Sequence, residues 1–185
     1  MPGDVLSGTL SFDGRGTLGD FVGTTDSVRG VMTGGAGLAE VRGYVEARVV
    51  TLVTGNGKRD RDLNKSMESD KYPVIRFDLE RTEVVSVGED TAAVRLHGRL
   101  AIHGVEREVA LAARLRFETA GRIVLESDFP LNLKDHGIGG LSKMLGLLKM
   151  HPDIVVHVRL RFGPGVTGAA GPAGAVPTET PPIRD

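Results

Sequence analysis

The segment Val105–Phe117, VEREVALAARLRF, alternates with almost no fault. Val105, Arg107, Val109, Leu111, Ala113, Leu115 and Phe117 fall on one side of an extended chain. Glu106, Glu108, Ala110, Ala112, Arg114 and Arg116 fall on the other. A period of two residues is the mark of a half-buried β-strand. Arg107 is the only charge on the apolar side. What that side faces decides the reading of the whole chain: an ordinary packed core, or the wall of a cavity for an apolar ligand.

The same pattern continues outward in both directions. Before it, Thr91–Ile102 sets Val94, Leu96, Leu100 and Ile102 against Arg95, His97 and Arg99, and HGVE turns one strand into the next. Val74 to about Val87 sets Ile75, Phe77 and Leu79 against Arg76, Asp78 and Glu80. EVRGYVEARVVTLV (Glu40–Val53) carries Val41, Val45, Ala47 and Val49 on one face. Val5–Phe12, with Leu6, Leu10 and Phe12 together, and Ser27–Thr33 precede it, joined by a non-alternating connector, GTLGDFVGTT. After the central segment, Arg122–Leu133 presents Ile123, Leu125, Phe129, Leu131 and Leu133. Asp153–Phe162 presents Ile154, Val156, Val158, Leu160 and Phe162. Eight strands are therefore expected.

One apolar row and one charged row per strand is the pattern of an antiparallel sheet with one wet face. Two short helical segments accompany it. GKRDRDLNKSMESDKYP (Gly57–Pro73) has Leu63 and Met67 four apart, and GIGGLSKMLGLLKMH (Gly137–His151) is an apolar helix with glycines that suit either a lid or close packing. Two such segments cannot cover a long sheet, so the sheet must bury its apolar face against itself, as a sandwich or a barrel. Strands of about twelve residues, tilted about 40°, make a barrel wall roughly 30 Å high.

A barrel of eight strands is the size at which side chains just fill the interior or one ligand does. The inward rows are aliphatic and include the small residues Gly43, Ala47, Gly98 and Ala113, while aromatics make up 4% of the chain. That composition favours a lumen, whose ligand would be mostly hydrocarbon. The expected lining is Val45, Ala47, Val49, Ile75, Phe77, Val94, Leu96, Val109, Leu111, Ala113, Leu115, Leu125, Phe129, Val156 and Val158. Ala113 is expected mid-wall with its methyl towards the void. The residues alone leave a fully packed core standing beside this reading.

Composition removes other classes. The 185 residues are 40% hydrophobic with a formal net charge of −1, which gives no basic footprint for nucleic acid. There is no cysteine, and the five histidines show no H-x-x-x-H or H-E-x-x-H spacing, so neither a metal site nor a cofactor is expected. No run approaches the roughly 20 apolar residues of a membrane span. MPGDVLSGTL lacks the features of a signal peptide, which implies a cytoplasmic protein if Met1 is the true start and a periplasmic or exported one otherwise. Residues 1–162 are expected to form one domain, and the Gly-, Ala- and Pro-rich residues 163–185 a disordered tail.

Four blocks in order resemble the YceI-like family of lipid-binding, lipocalin-like barrels. They are GTLGDFVGTT (Thr17, Leu18, Asp20, Phe21, Gly23), GKRDRDLNKSMESDKYPVIRF (Arg59 and Asp60 or Arg61 and Asp62, Leu63 or Met67, Tyr72, Pro73, Ile75, Phe77), HGRLAIHGVEREVAL (Gly98, Leu100, His103, Gly104, Val105, Arg107), and LKDHGIGG with the last strand. Gly19 departs from a subgroup that carries His there. The resemblance implies an all-β, eight-stranded antiparallel barrel that binds a long-chain lipid: a polyisoprenoid, an isoprenoid quinone or a fatty-acid derivative. It brings no catalytic set, and it leaves a homodimer open. Arg59, Arg61, Lys65 and Arg107 are candidate head-group contacts, with a solvated, self-paired helix face as the alternative for the first three. An enzyme using the cavity, or a protein-interaction scaffold, are the competing functions.

Overall fold

Among the described residues, nine antiparallel strands form one sheet that closes on itself. The computed structural model describes residues 3–16, 19–34, 36–138 and 150–164. The strands are β1 (Gly3–Gly16), β2 (Gly19–Thr25), β3 (Val28–Thr33), β4 (Arg42–Arg48), β5 (Val74–Val87), β6 (Thr91–Ile102), β7 (Val105–Phe117), β8 (Ile123–Asn132) and β9 (Asp153–Gly163). Each pairs with its neighbour in the order β1-β3-β4-β5-β6-β7-β8-β9, and β9 pairs back onto β1. β2 pairs only with β1, so the ring has eight staves. β2 and β3 are successive parts of one path along β1, the first against Leu10–Gly16 and the second against Gly3 and Asp4.

Chain direction fixes two ends. The hairpin end carries the β3–β4, β5–β6 and β7–β8 connections together with Gly3 and Gly163. The helix end carries α1 (Gly57–Ser66). The Asn56 side chain caps that helix by accepting from the amides of Lys58 and Arg59, at 3.1 Å each. The apolar edge of the segment, Leu63 and Met67, is buried against the barrel. Among the described residues, no helix is long and apolar enough to cross a membrane.

Several expectations are corrected. GTLGDFVGTT contains a strand, β2, rather than a connector alone. It lacks alternation because its apolar contacts are phenyl rings laid on glycines. Phe12 lies opposite Gly23 and Phe21 opposite Gly14, and a Cβ on either glycine would run into the ring. The two rings meet edge to face at 6.2 Å. Leu6 is half exposed, because a bulge between Val5 and Ser7 shifts the side-chain parity and turns Val5 inward. The first of two bulges in β5, between Leu79 and Arg81, does the same, so that Thr82 is buried where simple alternation from Leu79 would place residues 81 and 83. The strand expected over Glu40–Val53 is β4 and stops at Arg48, where the chain enters a 3-10 turn, Val49–Thr51, pinned by a hydrogen bond from the Val49 amide to the Pro73 carbonyl. Gly163 belongs to β9 and faces Asp4. The second helical segment (residues 139–149) and the tail from residue 165 lie outside the described residues.

β6 and β7 are joined by a two-residue turn, with His103 at φ 54° and Gly104 at φ 73°. This is the mirror-image geometry that suits hairpins. The Tyr72 ring lies against Gly104 and leaves no room for a side chain there. β7 and β8 pair only at the hairpin end, Arg114–Phe117 against Ile123–Glu126. Beyond that, Ser127 Oγ donates to the Ala112 carbonyl (2.7 Å). The 3-10 turn Leu133–His136 then ties the two strands together. Arg107 Nε donates to the Asp135 carbonyl (2.7 Å), and His136 Nδ1 donates to that of Val105 (3.3 Å). His103 Nδ1 donates to the His136 carbonyl (3.1 Å). His136 is almost fully buried, and this burial lowers its pKa.

The outer face is a lattice of cross-strand charge pairs. Glu46 of β4 sits between its register partners Arg29 (2.6 Å) and Arg76 (3.0 Å), and the Arg76 guanidinium also stacks on Tyr44 at 3.9 Å. The interior holds two apolar clusters, one at each end.

Candidate functional site: an apolar lumen in two chambers

Between these clusters the barrel is not filled. A cavity of about 190 Å³ runs from mid-barrel to the hairpin end, where Gly3, Leu38, Gly121 and Gly163 form its rim. A second cavity of about 80 Å³ lies at the helix end, floored by Phe12, Leu52, Leu63 and Met67. Leu10, Ile75, Leu100 and Phe129 border both. The apolar side of Val105–Phe117 therefore meets two different surroundings. Leu111 and Leu115 face the main cavity, whereas Ala113 packs opposite Val94 in the hairpin-end cluster.

Of the residues expected to line a lumen, Val45 and Ala47 of β4, Ile75 and Phe77 of β5, and Leu96 of β6 border the main cavity. So do Leu111 and Leu115 of β7, Leu125 and Phe129 of β8, and Val158 of β9. Val156 borders the smaller chamber. Val49 and Val94 are inside but fully packed, Val109 is partly buried against the helix-end cluster, and Ala113 borders neither cavity. The wall also contains residues outside that expected set: Val28 and Met32 of β3, Leu38 and Val41 beyond it, Leu79 of β5, Ile123 of β8, and Leu160 and Phe162 of β9. The parity of Val28 and Met32 could have revealed them. Leu38 lies in a non-alternating loop with no such signal.

The lining is almost entirely hydrocarbon. Glu46 borders the cavity, but its carboxylate is engaged by Arg29 and Arg76. Thr82 adds a hydroxyl, and that of Ser127 is committed to Ala112. Such a surface gains from excluding water and has little with which to orient a polar molecule. No group of three or more His, Cys, Asp or Glu residues able to hold a metal occurs among the described residues.

The four candidate head-group contacts are not at the cavity rim. Arg59 stacks over the Phe21 ring at 4.2 Å. Arg61 and Lys65 border an outer recess with Asp60, Glu68 and Asp70 beside α1. Arg107 is exposed and bound to the Asp135 carbonyl. All four lie at the helix end, opposite the rim.

Closed antiparallel staves around an apolar interior define a lipocalin-like barrel. Comparison with known proteins narrows the class. The model of the YceI-like domain matches residues 6–162, and the chain belongs to that family. A UPF0312 protein of Pseudomonas savastanoi pv. phaseolicola is 32% identical over 103 residues, and so is one of Pseudomonas syringae pv. syringae. The chain matches about half the length of these curated relatives, 52% of each. Among solved structures, a polyisoprenoid binding domain from Saccharophagus degradans, implicated in plant cell wall breakdown, superimposes with a TM-score of 0.73 at 15% identity. The match covers 87% of this chain and 97% of that one. Burkholderia cenocepacia BcnA gives 0.69 at 13% identity, covering 83% and 95%. The Campylobacter jejuni YCEI protein gives 0.59 at 19%, covering 75% and 82%. At these identities the likeness establishes the fold.

Proposed function

We propose that this protein binds the hydrocarbon part of a long-chain lipid in its lumen and carries or stores it without chemical change. The observation that carries the reading is the main cavity, with an apolar wall contributed by strands all round the barrel. Each methylene moved from water into such a wall contributes about 0.8 kcal/mol gross, less the costs of association and ordering. A polyisoprenoid is the first candidate: branched methyls suit a wall of Val, Leu and Ile, and the Saccharophagus relative is described as binding one. Catalysis would need a polar group with a perturbed pKa inside the cavity. The groups described here with such shifts lie on the outer face or in the seam beside His136.

Native mass spectrometry of the protein purified from its own host tests the reading. The expected result is an added mass, lost on mild activation, that corresponds to one lipid. Protein that shows no adduct, and takes up no prenol or fatty acid when these are supplied, would overturn it.

A further inference from the structure

The two chambers meet at a waist. Its four side chains come from opposite arcs of the ring: Ile75 and Leu100 from β5 and β6, Leu10 and Phe129 from β1 and β8 on either side of β9. Leu100 is 5% exposed, and the other three pack onto the helix-end cluster. The main chamber, at about 190 Å³, is slightly larger than an engineered site of about 150 Å³ that takes benzene, and is smaller than a typical ligand pocket of roughly 300 Å³ or more. It holds a short hydrocarbon segment. A chain entering at the hairpin rim therefore reaches the waist with its leading end. Beyond lies a further chamber of about 80 Å³, closed by the helix.

Resting on the lipid-binding reading above, we propose that this waist is the length-determining element of the site. Leu10, Ile75, Leu100 and Phe129 stop the leading end of the chain and so fix how much hydrocarbon the barrel accepts. The small chamber behind them is room that the native side chains withhold. Removing the Phe129 ring joins the two chambers and extends the site towards Leu63 and Met67. Leu100→Val retracts the waist by one methylene, a change that cores tolerate. Leu115→Ala enlarges the main chamber near the rim and leaves the waist as it is.

The experiment measures dissociation constants of the full chain for geraniol, farnesol and geranylgeraniol, with melting temperature as the folding check. The wild type is expected to gain affinity up to one prenol and then stop gaining. In Phe129→Ala the break moves to a longer prenol, whose affinity rises at least about tenfold over wild type, given up to about fourfold per buried methylene. Leu100→Val moves it the same way by less, and carries the test alone if Phe129→Ala does not fold. Leu115→Ala leaves the break in place. An unchanged break in a folded waist variant, or one that Leu115→Ala moves equally, overturns the waist and leaves lipid binding intact. A wild type whose affinity climbs without a break through all three overturns the waist, and one that binds none of the three and no fatty acid overturns both.

Discussion

Ala47 and Ala113 are both inward-facing and nearly buried, at 3% and 8% exposure, yet they meet different surroundings. Ala47 borders the main cavity. Ala113 faces Val94 across the β6–β7 ladder, belongs to the hairpin-end cluster and borders neither cavity. Alternation identifies both as inward and cannot separate them, because the difference lies in what the opposite wall contributes. Ala113→Phe should therefore overpack the hairpin-end cluster and destabilise the protein by about 1–3 kcal/mol in chemical denaturation. Unchanged stability would mean free volume beside Ala113 that the structure does not contain.

At the scale of elements, strand identity was readable wherever one row is apolar and the other charged, as in β6, β7 and β9. It failed where the backbone departs from a regular ladder. The bulges in β1 and β5 invert parity without a residue that announces them. β2 carries no strand signal because glycines paired with Phe12 and Phe21 leave no alternating row. The lumen's strand-borne wall was largely legible. Its rim and its division into two chambers were not, since these depend on loop placement and on contacts across the barrel. The outer pairs also connect elements. His157 of β9 lies between Asp128 of β8 (2.7 Å) and Asp13 of β1 (3.1 Å), and Arg159 holds Asp128 as well (2.9 Å). Hydrogen bonds to Asp128 and then Asp13 raise the pKa of His157 above its ordinary 6.5. A raised folded-state pKa contributes stability that is fully present below 6.5 and is lost as pH rises through the folded value. The melting-temperature difference between wild type and His157→Asn should thus be largest below pH 6.5 and shrink on the alkaline side. His136, with a pKa lowered by burial, contributes in the opposite sense, stabilising above 6.5 and less so as pH falls. It is common to both proteins and cancels in the difference. A difference that grows with pH would contradict the pairing.

For the whole molecule, closure of the sheet explains both halves of its surface. The charged rows face water and pair across strands. The apolar rows face one another at a distance that aliphatic side chains do not fully span, so closure leaves a space, and a space walled by hydrocarbon is suited to a hydrocarbon guest. Filling that space from the wall with Ala47→Phe should shut the guest out. A phenyl group placed at Ala47 occupies volume of the kind that takes benzene in an apolar cavity. The measurement is the farnesol dissociation constant of Ala47→Phe against wild type, with the melting temperatures of both ligand-free proteins alongside. The expected result is a ligand-free variant about as stable as wild type that binds farnesol at least about tenfold more weakly. A folded variant that binds farnesol as tightly as wild type would contradict it.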